Sequence, residues 1–172
     1  MKHAWLSHYS YVCQPVDYSD DPDELIVAHL CWWYYFCKFT EFLDTVFFVL
    51  RKKNDQITTL HVIHHSVMPA AVWWGVKFAP GGHGTFFGFL NTTVHIVMYT
   101  YYLIAAMGPK YQKYIWWKKH LTTMQMVQFG IVFVHSAQAL YFDCNFPKVF
   151  LWTMCFHALM FFCLFFNFYI QV

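Results

Sequence analysis

Charged residues are scarce in this 172-residue sequence. They make up 12% of it, whereas about a quarter of the residues in an ordinary soluble domain are charged. The net charge of +2 is too small and too unevenly spread to favour a nucleic acid as partner. Hydrophobic residues make up 59% and aromatic residues 23%. The composition therefore favours a membrane protein, or a soluble domain with an unusually aromatic core.

The sequence also lacks an internal repeat, a low-complexity linker and a recognisable cleavable signal, which needs an apolar run after a basic start. One domain is expected for this length. The stretch VDYSDDPDE at residues 16–24 is acidic and precedes the first long apolar run. We therefore divide the chain into an N-terminal segment, residues 1–24, and a membrane domain, residues 25–172.

Five apolar stretches of about 20 residues or more are each long enough to cross a hydrocarbon core of about 30 Å. Charged or turn-forming residues follow the first four of them. The stretches cover residues 25–50, 57–78, 85–107, 115–141 and 146–170. The sequence thus predicts an all-α, polytopic membrane helix bundle with five transmembrane helices.

Basic residues decide the orientation of this bundle. The loops after the first and third helices lie on one side of the membrane and, together with the start of the fourth helix, carry Arg51 and six of the ten lysines, so the positive-inside rule makes that side cytosolic. Cys13 and Cys144 both fall on the opposite, lumenal side, where disulfides persist. We predict a disulfide between them, with two free thiols as the alternative, and expect the four cysteines within the spans to stay reduced.

Polar residues recur at one depth in four of the predicted helices. A rise of about 1.5 Å per residue places them about 9 to 18 Å from the cytosolic ends. They are Glu41, Asp44, His61, His64, His95, Gln125 and Gln128. His65 shares a face with His61 and His64, and Asn91 and Tyr99 share one with His95. Since polar groups at this depth should face the bundle interior, they predict a single site.

Other interpretations of these residues stay open. A lone intramembrane histidine such as His135 or His157 is more often an interhelical hydrogen bond than a catalytic group, and Gln125 and Gln128 could serve the same purpose. Lys38 and Glu41 could form a structural ion pair, and the aromatic run at residues 31–36 is best explained by packing. Buried neutral imidazole can be a nucleophile, a general base or a metal ligand.

Two further function classes use buried histidines. Membrane di-iron desaturases and hydroxylases also carry the H-x-x-H-H pattern, but they need several such boxes and this sequence has one at residues 61–65. A proton-coupled transporter predicts inverted repeats or broken helices, and the sequence shows neither beyond Pro69. One metal ion bound by His61, His65 and His95 stays open as an alternative, but the sequence does not require it and we expect no metal ion.

Three segments are similar to the signature blocks of one enzyme family. KFTEFLDTVFFVLRKKNDQITTLHVIHHSVMP (38–69), NTTVHIVMYTYY (91–102) and TTMQMVQF (122–129) resemble those of the fatty acid elongases, the membrane-bound very-long-chain 3-oxoacyl-CoA synthases. The resemblance runs from about Tyr11 to the end, in the family's order. Members usually carry two further helices before this point and a C-terminal tail for retention in the endoplasmic reticulum. The resemblance thus implies a partial chain of a seven-helix protein of that membrane.

The resemblance implies an acyltransferase reaction in which a long-chain acyl-CoA condenses with malonyl-CoA to give 3-oxoacyl-CoA, CO2 and CoA. His64 would be the nucleophile that takes the acyl group, and His95 would contact the reacting carbonyl or move protons. His61 and His65 would orient them. Cys31 and Cys37 lie off the signature faces and are not expected to react. The remaining assignments are Asp44, Asn91 and Gln125 as supporting groups and Lys38, Glu41, Arg51, Lys52, Lys53, Tyr99, Lys113, Lys118, Lys119 and Gln128 in substrate binding.

The basic residues of the cytosolic rim would pair with the phosphates of CoA, or else contact lipid headgroups. These are Arg51, Lys52, Lys53, Lys113, Lys118 and Lys119. No cofactor is implied besides the two CoA substrates. The implied partners are membrane lipid, the ketoreductase, dehydratase and enoyl reductase of the elongation cycle, and a second copy of the chain. A tunnel closed at its lumenal end would limit the acyl length.

Overall fold

The computed structural model describes residues 4–142 and 144–171, and in this part of the chain it is helical without a strand. The helices are α1 (Pro22–Thr40), α2 (Phe42–Leu50), α3 (Thr59–Phe78), α4 (Thr85–Ala106), α5 (Pro109–Gln112), α6 (Lys118–Tyr141) and α7 (Lys148–Gln171). The predicted all-α class is confirmed. The outer limits of the two predicted segments, residues 1–3 and 172, lie outside the described residues.

The first predicted span is not one helix. It divides at Glu41 into α1 and α2. The backbone at Glu41 remains right-handed, with φ −63° and ψ −20°, and the amide of Asp44 donates to the carbonyl of Glu41 over 3.2 Å. This bond between residues i and i+3 tightens the turn locally. The fourth predicted span was also too long, because α6 begins at Lys118 rather than at residue 115.

Helix ends follow the local sequence. The side chain of Asp21 accepts hydrogen bonds from the amides of Asp23 and Glu24 and caps α1, whose first residue is Pro22. Thr58 caps α3 in the same way by accepting from the amide of His61. This second cap fixes where the helix that carries the three clustered histidines begins.

Among the described helices, α7 alone is both long and apolar enough to cross a membrane on length and composition. The others contain many residues with polar atoms. In α1, for example, residues 32–35 are Trp-Trp-Tyr-Tyr. Such side chains combine a large apolar body with one polar tip. They therefore give a helix a lower mean hydropathy than aliphatic side chains do. The five-span bundle accordingly remains a proposal.

The five long helices form a ring. Around it α1 packs on α3, α3 on α7, α7 on α6 and α6 on α4, and α4 makes a sparser contact with α1 that closes the ring. One hydrophobic cluster, formed by Met68, Val72, Phe129 and Phe161, joins α3, α6 and α7 on the inside. The ring thus leaves room for a cavity between helices.

Cys13 and Cys144, the predicted pair, are joined by a disulfide. It ties the N-terminal segment to the connection between α6 and α7. A second hydrophobic cluster, which includes Ala79, Cys144, Phe146 and Leu151, surrounds this bond. The described cysteines at 31, 37, 155 and 163 are free thiols.

Candidate functional site

A cavity of about 850 Å³ lies within the ring and reaches the sparse contact between α1, α2 and α4. Most of its wall is apolar, with side chains such as Met68, Phe87 and Phe129. The wall also contains other polar residues, such as Thr85, Thr153 and His157, but six of its polar residues cluster towards one end. They are Lys38, Glu41, Asp44, Asn91, His95 and Tyr99. All six were predicted to belong to the site, and the structure brings them together.

Lys38 is a buried cation at the centre of this polar cluster. Its residue is 2% exposed, and its Nζ donates to Glu41 Oε1 over 2.6 Å and to Asn91 Oδ1 over 2.8 Å. The hydroxyl of Tyr34 donates to the same Asn91 oxygen over 2.8 Å, and the ring of Tyr34 lies 4.8 Å below Nζ. Burying a charge in this way requires pairing and hydrogen bonding. The hydrogen bond from Lys38 to Asn91 joins the end of α1 to α4.

Glu41 holds His95 as well as Lys38. Nδ1 of His95 lies 3.1 Å from Glu41 Oε1, the oxygen that also accepts from Lys38. A carboxylate can only accept, so Nδ1 of the neutral imidazole carries the proton. Nε2 is then left with its lone pair, which makes it the nitrogen able to accept a proton. Carboxylates orient catalytic imidazoles through the same contact in hydrolases.

Two consecutive residues of α2 connect the helices on either side. Asp44 Oδ2 accepts from the hydroxyl of Tyr99 in α4 over 2.8 Å. The hydroxyl of Thr45 lies 2.7 Å from Nε2 of His61 in α3. The ring of Tyr99 lies 5.9 Å from that of His95. The short helix α2 therefore links the histidine-rich start of α3 to the polar stripe of α4.

The three histidines at 61, 64 and 65 pack against one another. The ring centroids of His61 and His65 are 4.2 Å apart, and His64 meets His65 edge-on at 5.1 Å. His64 also meets the ring of Phe161 at 5.1 Å. Within the described part of the chain, no hydrogen bond engages the His64 ring. The cavity wall contains Phe161 and His95 but none of these three histidines.

The remaining predicted residues lie apart from this wall. Gln125 Nε2 lies 3.7 Å from the sulfur of Met98. Gln128 is 4% exposed, and its Nε2 has no partner among the described residues. The basic residues assigned to CoA are exposed and lie outside the cavity wall. These are Arg51, Lys52, Lys53, Lys113, Lys118 and Lys119.

Three further residues of the cavity wall, which the sequence did not assign to the site, bear on its chemistry. Tyr34 was assigned to packing, yet it bonds Asn91 and faces Lys38. Its spacing of four residues before Lys38 places both on one helical face and could have indicated this. Cys31 and Cys37, which we expected to lie off the signature faces, also line the cavity. Among the described residues, no group of three or more His, Cys, Asp or Glu side chains is arranged so that it could hold a metal ion.

The sequence is similar to known proteins over its whole length. The ELO family, also described as the GNS1/SUR4 family, matches residues 1–172. A very long chain fatty acid elongase of Aedes aegypti is 64% identical over 96% of this chain and 47% of its own length. Very long chain fatty acid elongase 7 of Drosophila melanogaster is 64% identical over 96% of this chain and 51% of its own length. Human very long chain fatty acid elongase 4 is 48% identical over 98% and 54%. The chain spans about half the length of these relatives.

Proposed function

Because this chain belongs to the ELO (GNS1/SUR4) family, we propose that it carries the condensing site of a fatty acid elongase, which joins a long-chain acyl-CoA to malonyl-CoA. One observation carries the proposal. A buried Lys38–Glu41–His95 cluster stands at the polar end of a largely apolar cavity of about 850 Å³. An acyl chain would occupy the apolar part, with its thioester near the polar end.

The first step is acyl transfer to His64, whose ring lies beside the cavity wall, 5.1 Å from the ring of its residue Phe161. A nitrogen of this imidazole forms a bond to the acyl carbon, the thioester C–S bond breaks, and CoA leaves as a thiolate. The proton that His64 loses passes to the leaving sulfur. The product is an acyl-imidazole, which keeps the acyl group reactive towards a carbon nucleophile. Exclusion of water from the site would protect it from hydrolysis.

The second step forms the carbon–carbon bond. Malonyl-CoA loses CO2, and the electron pair of the broken bond becomes the carbanion that attacks the acyl carbon. The bond to the His64 nitrogen then breaks, and the imidazole takes up a proton that His95 delivers and that the surrounding water replaces, because the condensation consumes one proton overall. The product is a 3-oxoacyl-CoA longer by two carbons. Decarboxylation supplies the carbanion, so no strong base and no metal ion is needed.

His95 is the residue that we propose for proton movement in both steps. Its Nδ1 faces Glu41 Oε1 at 3.1 Å, and its Nε2 is the acceptor nitrogen. Such a positioned base typically contributes about 10²- to 10⁴-fold to a rate. Asp44 and Tyr99 would maintain the position of α2 against α4, and His61 and His65 would position His64.

The membrane setting follows from the same proposal. The long helices would form a five-span bundle in the endoplasmic reticulum membrane, with the disulfide between Cys13 and Cys144 on the lumenal side. Exposed basic residues at the cytosolic ends would meet the CoA phosphates or lipid headgroups. The other three enzymes of the cycle, and a second copy of the chain, are the proposed protein partners.

The test is condensation in isolated microsomes that contain the chain. They are incubated with labelled malonyl-CoA and a panel of acyl-CoAs, and mass spectrometry identifies the products. We expect 3-oxoacyl-CoA that is longer by two carbons, lost in His64→Ala and retained in His29→Ala, since His29 is an exposed histidine of α1. Product from His64→Ala at the wild-type rate would contradict the mechanism. Transport of substrate without CoA dependence would favour a transporter instead.

A further inference from the structure

The N-terminal segment, residues 4–18, lies across one end of the ring. Hydrogen bonds attach it to residues at or near the ends of three helices. At the end of α3, Tyr18 donates to the carbonyl of Phe78. Just before α4, the amide of His83 donates to the carbonyl of Gln14, and near the end of α6, Gln138 donates to the carbonyl of Tyr11. The disulfide of Cys13 with Cys144 adds a covalent attachment. The segment is therefore held as a fixed cover over this end.

Because residue 82 is a glycine, the N-terminal segment can pack closely against the turn between α3 and α4. Gly82 has φ +59°, in the left-handed region that favours glycine. A Cβ placed there would lie 2.7 Å from the carbonyl oxygen of Pro15. Any larger residue would push the segment away from the turn between α3 and α4. The close fit at this point fixes the distance between the cover and the helix ends.

Three residues of the segment, Ala4, Trp5 and Tyr9, are buried in the interior. Ala4 and Trp5 are each 2% exposed and belong to one hydrophobic cluster with Tyr9 and Val27. The indole Nε1 of Trp5 donates to Thr85 Oγ1 over 2.8 Å, which fixes Trp5 at the start of α4. Ala4 itself lines the cavity that holds Lys38 and His95 at its other end. No other residue of the described segment lines that cavity.

The distance from the polar cluster to this cover follows from helix geometry. Thr85 and His95 both line the cavity, and the ten residue steps from one to the other along α4 span about 15 Å. With a C–C bond of about 1.5 Å, an extended hydrocarbon chain advances about 1.3 Å per carbon. About 12 carbons would therefore reach from the level of His95 to the level of Thr85 and the cover. Longer chains must bend inside the cavity or press against the cover.

We propose that Ala4 is the floor of the acyl cavity and limits the length of the acyl chain that the site accepts. This inference rests on the proposed condensing function. Alanine is the smallest side chain with a Cβ, so it closes the end of the cavity while taking little of its length. A phenylalanine ring at this position would reach about 4 Å further, the length of about three chain carbons.

The test compares Ala4→Phe and Ala4→Val with Leu6→Phe as control. Leu6 belongs to the same segment but is 67% exposed, so an added ring there does not enter the cavity. Microsomes with each variant receive saturated acyl-CoAs that increase in two-carbon steps. We expect the rate ratio of the longest to the shortest accepted chain to fall about tenfold or more in Ala4→Phe, because two or more buried methylenes lose their place. Ala4→Val should fall less, and Leu6→Phe should keep the wild-type ratio.

Failure of this inference and failure of the proposed function give different results. Wild-type microsomes that form no 3-oxoacyl product at any chain length would refute the proposed function. An active wild type with an unchanged ratio in both Ala4 variants would refute the role of Ala4. If Ala4→Phe misfolds, its rates fall at all lengths and Cys13 becomes open to alkylation without reduction. The smaller Ala4→Val change then decides, with an unchanged ratio overturning the proposal.

Discussion

Replacing Glu41 by glutamine should separate two roles of this carboxylate, the neutralisation of Lys38 and the orientation of His95. In the native protein Oε1 of Glu41 is 2.6 Å from the Lys38 ammonium and 3.1 Å from Nδ1 of His95. The Lys38 side chain is 1% exposed, so water cannot replace the lost partner. Glutamine keeps the size of the side chain but removes its charge.

The magnitude of the stability loss follows from burial. Removing one partner of a buried ion pair costs about 3–5 kcal/mol, because the other charge stays buried without compensation. For a chain of this size, each 1 kcal/mol lowers the melting temperature by about 2–4 °C, which gives a decrease of about 6–20 °C. The double variant Lys38→Met/Glu41→Gln removes both charges and should recover most of this loss.

Activity should not recover in the same way. In Glu41→Gln and in the double variant, the amide cannot select the tautomer in which Nε2 of His95 accepts a proton. We expect condensation to fall about 10²- to 10⁴-fold in both, the range for losing a positioned acid–base group. Lys38→Met alone keeps the contact of Glu41 with His95 and should retain more activity than either.

The assay measures thermal unfolding of detergent-solubilised protein beside condensation in the same preparations. A Glu41→Gln protein with wild-type melting temperature and wild-type rate would refute both roles. Recovery of activity together with stability in the double variant would show that Glu41 acts only through Lys38, and the proposed orientation of His95 would then be wrong.

Three other predictions concern the disulfide, metal content and pH. Cys13 and Cys144 should resist alkylation in fresh microsomes until reduced, and Cys144→Ser should lower stability by at most about 4–5 kcal/mol for a closed loop of 131 residues; alkylation of both without reduction would contradict the pairing. Purified active protein should contain far less than one equivalent of iron or zinc, whereas stoichiometric iron lost together with activity on chelation would restore the desaturase or hydroxylase interpretation. Burial lowers the pKa of His83 in the folded protein, so the unfolded chain binds a proton more readily than the folded one. The free energy of unfolding should therefore be highest above the unfolded pKa of about 6.5 and should decrease as the pH falls below it. In His83→Gln the free energy of unfolding should depend less on pH.

The positions of the long helices could be predicted from the sequence because apolar runs and charged ends are local signals. The division at Glu41 could not, since it coincides with a side chain drawn to Lys38 and to His95 in another helix. The apolar run continues across Glu41 without proline or glycine. Tertiary contacts therefore override the local pattern at this point.

The site was predictable by depth, and the ion pair of Lys38 with Glu41 was predictable from their spacing in the sequence, but the partners on different helices were not. Helical rise placed Glu41, Asp44 and His95 at similar depth, and the structure brings them to one cavity wall. Which side chains bond each other depends on the rotation of the helices, and a single sequence does not encode this in any local signal. The contact of Asp44 with Tyr99 and that of Tyr34 with Asn91 are examples.

The central claim is that His64 carries the acyl group, and intact-protein mass spectrometry tests it most directly. Protein incubated with acyl-CoA alone should gain the mass of one acyl group, and peptide mapping should place it on His64. The gain should be absent in His64→Ala and present in His29→Ala. An adduct that persists in His64→Ala, or that maps to Cys31 or Cys37 in the cavity wall, would contradict the account.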